Sequence, residues 1–237
     1  MSRMDGLALT RARMFALAML ATLVLASCQT VQTTQPGAVG VERQQSMLLS
    51  ASQVDKSAVQ AYQQEMKKAS AKNLLNHDAA QVTRVKTVAQ RLIPATAAFR
   101  SDAPKWAWEV NVITSGDVNA WCMPGGKMAV YTGLIDKLKI TDDELAAVMG
   151  HEIAHALREH GRERMSQAYA DAVGLELAAR AGYDPRAAVT LWQKMGQVGG
   201  GAPPQFLSTH PSPQNRASDL TNYATRVMPL YEAARKR

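Results

Sequence analysis

Residues 141–157 read TDDELAAVMGHEIAHAL, and the reading of this stretch decides what the rest of the chain is built around. Thr141 and Glu144 have the spacing of a capping box, with Thr141 at the N-cap and Glu144 reaching back to it, so a helix is expected to begin here. Leu145, Val148, Met149 and Leu157 supply its apolar face. On such a helix His151 and His155 lie one turn apart on one face, with Glu152 about 100° round.

Two imidazoles on one face can hold one ion, and H-E-x-x-H is the arrangement of zinc peptidases. Zinc lowers the pKa of a bound water toward about 7, and the glutamate takes the proton as that water attacks a peptide carbonyl. The expected roles are metal ligation by His151 and His155, general-base catalysis by Glu152, and one Zn²⁺ as cofactor. A zinc site also needs a third protein ligand. The longer metzincin form requires Gly and His where this chain has Arg158 and Gly161, so it is excluded. Continuing the same helix would carry Asp171 about 24 Å beyond His155, too far to share an ion. Glu159, His160 and Glu163 read as a solvated face.

The remaining chain bounds where such a helix works. At 237 residues and 46% hydrophobic content, one domain with a real core is expected. Residues 1–27 have the layout of a secretory signal, with Arg3, Arg11 and Arg13 before an uncharged run too short to span a bilayer comfortably. Leu25-Ala26-Ser27-Cys28 resembles a bacterial lipobox, which makes Cys28 the lipidated first residue and the membrane a partner through that anchor. That resemblance associates an aspartate after the cysteine with retention at the inner membrane, so Gln29 implies the outer membrane, on its periplasmic side. Residues 28–48 read as a flexible tether and 49–237 as the folded domain. With Cys28 acylated, Cys122 is the remaining thiol, so no intramolecular disulfide is expected. The net charge of +7 is spread along the chain, without an aromatic-basic platform, and nucleic acid is not an expected partner.

Apolar periodicity predicts helices over about 50–76 and 79–93, the second stopped by Pro94. Alternation over 106–113 predicts a strand, and two more over 118–123 and 127–131 flank the turn Pro124-Gly125-Gly126, giving a small antiparallel meander beside the H-E-x-x-H helix. Asp184-Pro185 starts another helix through Met195, and the chain closes with a helix beyond residue 216. Helices around a small sheet make a mainly helical α+β domain.

The blocks VNAWCMPGGKMAVYTGLI (118–135), DDELAAVMGHEIAHALREHGRERMSQ (142–167), GLELAARAGYDPRAA (174–188) and FLSTHPSPQNR (206–216) resemble the HtpX/BepA/LoiP type of HExxH metallopeptidases. The resemblance covers residues 79–216. It implies zinc at His151 and His155 with Glu152 as base, a strand at 127–131 that borders the cleft and pairs with substrate backbone, and His210 near the metal. It further implies Asp171 as support for a zinc histidine. The family's third ligand is a glutamate ahead of the GLELAARAGYDP block; here that position holds Gln167, and the chain is shortened between 167 and 171. His210, Asp171 and Glu176 are the candidates to replace it. The expected function is hydrolysis of unfolded or misassembled envelope proteins. The alternative is a catalytically impaired family member that binds envelope peptides without cutting them.

Overall fold

The computed structural model describes residues 29–40, 45–47, 51–159, 167–197 and 216–236. In chain order they form β1 (Gln29–Val31), β2 (Gln45–Met47), α1 (Ala51–Ala71), α2 (Ala79–Ala95), β3 (Glu109–Ile113), β4 (Ala120–Met123), β5 (Lys127–Tyr131), α3 (Thr132–Leu138), α4 (Asp142–Leu157), α5 (Gln167–Arg180), α6 (Ala187–Gln197) and α7 (Arg216–Ala234). The architecture is the expected α+β, helices packed around a small sheet.

Helix α4 is buried along nearly its whole length. Helices α2, α5 and α6 and strand β4 pack against it, so it has apolar neighbours on every side rather than one wet face. The capping box is formed: the Glu144 N–H donates to Thr141 Oγ1 (3.2 Å), and the Thr141 N–H donates to Glu144 Oε2 (2.8 Å). The same carboxylate accepts from Lys194 Nζ and Thr190 Oγ1 of α6, both at 2.7 Å, so one buried group caps α4 and ties it to α6. Glu144→Ala removes the cap and leaves Lys194 without its partner, and is expected to cost about 2–3 kcal/mol in thermal or urea unfolding.

The same group gives acid stability a sign. Burial alone would raise the Glu144 pKa, but the Lys194 ammonium, the Thr141 N–H and the Thr190 hydroxyl outweigh it and hold the carboxyl below its usual range. Hydrogen bonds from Arg100 likewise lower Asp102 to about 2. A carboxylate depressed in the folded state contributes stability that is complete above its unfolded pKa, near 4, and is lost as pH falls through the folded value. Melting temperature is therefore expected to hold near neutral pH and to fall between about pH 4.5 and pH 2.

The sheet is mixed, with order β3-β5-β4, which corrects the antiparallel meander. β5 runs antiparallel to β4, Cys122 opposite Met128, and parallel to β3, Asn111 opposite Ala129. Gly125 and Gly126 turn the β4–β5 hairpin at φ +76 and +81. A Cβ on Gly126 would also lie 2.6 Å from the Trp108 ring, so this position takes only glycine. The first predicted strand begins at Glu109 rather than Trp106, because Trp106 and Trp108 stack on each other, 5.6 Å between centroids, ahead of it. Alternation along the strands sends Val112, Ala120, Cys122, Met128 and Val130 into the main core. Ile113, Trp121, Ala129 and Tyr131 face α1, where Met66 and Ala69 cover them.

Pro94 does not stop α2, which runs to Ala95 and tightens into a 3₁₀ turn over Thr96–Ala98. The flexible tether expected over 28–48 does not describe residues 32–40. Thr34 and Val39 are buried there, and the Gln35 N–H donates to the Phe99 carbonyl. Arg158 Nη1 donates to Thr34 Oγ1 (2.9 Å), and Arg226 Nη1 donates to the Val39 carbonyl (3.1 Å). Gly37, at φ +61, passes so close to Phe99 and Glu176 that a side chain would collide with both. This segment is a strap across α4, α5 and α7. Residues 1–28, with the predicted signal and Cys28, lie outside the described residues.

Candidate active site

His151 and Glu152 are buried, at 4% and 3% exposure, and His155 is partly exposed, so the pair is reached from the His155 side. The Nε2 atoms of the two histidines converge to 3.0 Å. Two nitrogens about 2.0–2.1 Å from a tetrahedral zinc ion stand about 3.3 Å apart, so the pair fits one shared ion with a small opening of the rings.

Asp171, 5% exposed on α5, places Oδ1 2.9 Å from His151 Nδ1. A carboxylate there holds the ring in the tautomer with its proton on Nδ1 and leaves the Nε2 lone pair for a metal. Its position follows from the way α4 and α5 meet. Gly150 and Gly174 bring the two backbones into contact, and Asp171 stands about one turn before Gly174. Asp171 was a candidate third ligand; the structure puts its carboxylate on the nitrogen that faces away from His155, where it supports His151 instead. Glu176 was another. Five positions past Asp171 it lies about 140° round the helix, fully buried, accepting from the Val39 N–H (2.8 Å) and from Arg180 Nε (2.8 Å). It anchors the strap and is not brought to the histidines. His210 lies outside the described residues. Among those described, no group of three His, Cys, Asp or Glu side chains is placed to hold a metal.

Several other parts of the site leave no local sign in the sequence. Trp192 of α6 stands edge-on to the His151 ring, 6.3 Å between centroids, and Leu191 and Leu220 close over the same side, leaving a cavity of about 10 Å³. Strand β4 lies against α4, and burial together with the Glu152 charge pushes the Cys122 thiol well above its ordinary pKa. Cys122 is thus a protonated packing residue. A disulfide-exchange reagent is expected to leave it unmodified in the native protein and to titrate it after denaturation; rapid native labelling would contradict this placement.

The central position of β5 alters the expected docking of substrate. Both of its sides are already hydrogen-bonded, to β3 and β4, so β5 cannot take an added strand. The outer side of β3 is held by residues 74–76, through bonds from the Thr114 N–H to the Leu74 carbonyl and from the Asn76 N–H to the Val112 carbonyl. Among the described residues β4 is left as the edge, beside the H-E-x-x-H helix. Because the Asn119 carbonyl accepts from the Tyr131 N–H, alternation directs the backbone of Cys122 away from β5, along that edge.

The model of peptidase family M48 matches the chain over residues 79–169 and 163–224, which takes in α4, α5, α6 and the three-stranded sheet. The chain belongs to this family. The chain is 36% identical to mitochondrial metalloendopeptidase OMA1 of Arabidopsis thaliana, over 48% of this chain and 31% of that protein. It is 30% identical to the mitochondrial metalloendopeptidase OMA1 of Bos taurus, over 68% of this chain and 40% of the relative. It is 22% identical to the Beta-barrel assembly-enhancing protease of Escherichia coli, over 50% and 35%. The chain therefore spans less than half the length of each of these relatives. The 217 positions aligned with the bovine protein take up only 68% of the 237 residues here, so several dozen positions of that relative face a gap in this chain. The two blocks of the M48 match meet at 163–169, just ahead of Asp171.

Proposed function

We propose that this chain is a zinc-dependent metalloendopeptidase. The observation that carries the reading is the convergence of His151 and His155 Nε2 with Asp171 behind His151 and Glu152 beside them, in a chain of a peptidase family. Zinc, when bound, supplies Lewis-acid activation of water and polarisation of the scissile carbonyl. His151 and His155 would hold it, and Asp171 fixes the direction of the His151 lone pair. Glu152 takes the proton from the attacking water and passes it to the departing amine. β4 supports an extended substrate by strand addition, which brings a peptide carbonyl alongside Glu152.

Of the three candidate third ligands, Asp171 and Glu176 are occupied elsewhere, which leaves His210. It lies in the segment joining α6 to α7, and both helices contribute to the wall around His151 through Trp192 and Leu220. His2His is a ligand set that zinc accepts. The expected result is that His210→Ala empties the site in elemental analysis; retention of one zinc per chain in that variant would exclude His210.

The finer reading places the protein in a bacterial envelope, lipid-anchored through Cys28 and acting on unfolded or misassembled envelope polypeptides. It rests on the Leu25–Cys28 lipobox resemblance and on the Escherichia coli relative named for β-barrel assembly. The rival reading, a peptide-binding relative that does not cut, is favoured by the positions this chain lacks relative to the bovine protein and by Gln167 where the family resemblance expects an acidic ligand. Cleavage of an unfolded protein by the zinc-loaded chain separates the two.

A further inference from the structure

We infer that Gly174 is a positioning residue for the metal site: by letting α5 touch the backbone of α4, it sets the one helix separation at which the short side chain of Asp171 reaches His151. The inference rests on the metal-ligand role proposed for His151. Helices normally pack about 8–10 Å apart, the distance set by the side chains at the contact. Here there is no side chain on either face of the crossing. A Cβ on Gly174 would lie 2.6 Å from the His151 nitrogen and 2.8 Å from its Cα, and a Cβ on Gly150 would lie 2.6 Å from the Gly174 carbonyl oxygen. The backbone of the ligand residue itself thus lies directly against α5 at Gly174.

The consequence for Asp171 is geometric. It stands three positions before Gly174, on about the same face, and its carboxylate meets His151 Nδ1 at 2.9 Å with both side chains buried. Ordinary contact between heavy atoms is about 3.5 Å, so a methyl group at 174 must part the helices by a good fraction of an ångström. An aspartate has one methylene of reach and cannot follow. A glutamate has one more and can. With the helices in contact, the same extra methylene carries the carboxylate past the 2.9 Å position it holds on His151 Nδ1. Glycine at 174 and aspartate at 171 therefore form a matched pair, and a carboxylate that orients a metal-binding histidine changes metal affinity by about 10–100-fold when lost.

The test is a zinc titration of the full chain and three variants, with thermal unfolding of the same proteins in the metal-free state. Gly174→Ala is expected to weaken zinc binding about tenfold or more, and Asp171→Glu alone to weaken it as well. The double variant is expected to bind more tightly than Gly174→Ala alone, so that the effect of Asp171→Glu reverses sign with the residue at 174. Additive losses, or unchanged affinity in Gly174→Ala, would overturn the inference. If Gly174→Ala does not fold, Asp171→Glu in the native background still decides: affinity equal to the parent chain shows that there is no tight fit. If the parent chain binds no zinc, it is the metal-ligand reading that fails. The pairing of 174 with 171 is then read from metal-free stability, where coupling supports it and additivity overturns it.

Discussion

Glu152→Gln is expected to lower cleavage of an unfolded protein by about 10²–10⁴-fold, the usual contribution of a positioned general base, with the zinc content unchanged. The amide keeps the size and the burial of the carboxylate but cannot accept a proton from water. Glu152 follows His151 directly on a helix packed on all sides, so the substitution leaves the histidine pair in place. Full activity in this variant would exclude Glu152 as the base.

The second large effect separates ligands from supports. His151→Ala and His155→Ala are each expected to weaken zinc binding by on the order of a hundredfold or more, since each removes a bond to the ion. Asp171→Asn is expected to cost about 10–100-fold. Glu176→Ala should leave zinc content unchanged and instead destabilise the fold by about 1–3 kcal/mol. It strips the Val39 N–H of its acceptor and removes the carboxylate that pairs with Arg180. Calorimetric zinc titration and urea unfolding of the four variants give the two orderings. Loss of zinc on Glu176→Ala would contradict the separation of roles.

What could be read in the sequence was what depends on near neighbours. The capping box, the helix it starts and the single face shared by His151 and His155 are consequences of spacing within 17 residues, and all three are present. The strands were legible from alternation, but their order was not, because nothing in a strand's own residues says which partner it takes; β5 is central, as its nearly continuous burial reflects. α3 went unread because TGLIDKL is seven residues long and follows β5 without a break. The strap went unread for a different reason. Its Gly, Pro and Thr composition is that of a linker, while its anchors, Arg158 and Glu176, lie more than a hundred positions away. The resemblance to HExxH metallopeptidases named Asp171 as the support of a zinc histidine, and its geometry fits that part. Its carboxylate meets His151 Nδ1 rather than the Nε2 side shared with His155, next to the glycine contact between α4 and α5.

The most direct test of the account is the zinc content of the purified chain by elemental analysis after exposure to zinc and exhaustive dialysis. One zinc per chain is expected, falling to none in His151→Ala. A parent chain that retains no zinc, or a His151→Ala variant that retains as much as the parent, would contradict the assignment of this helix as a metal site.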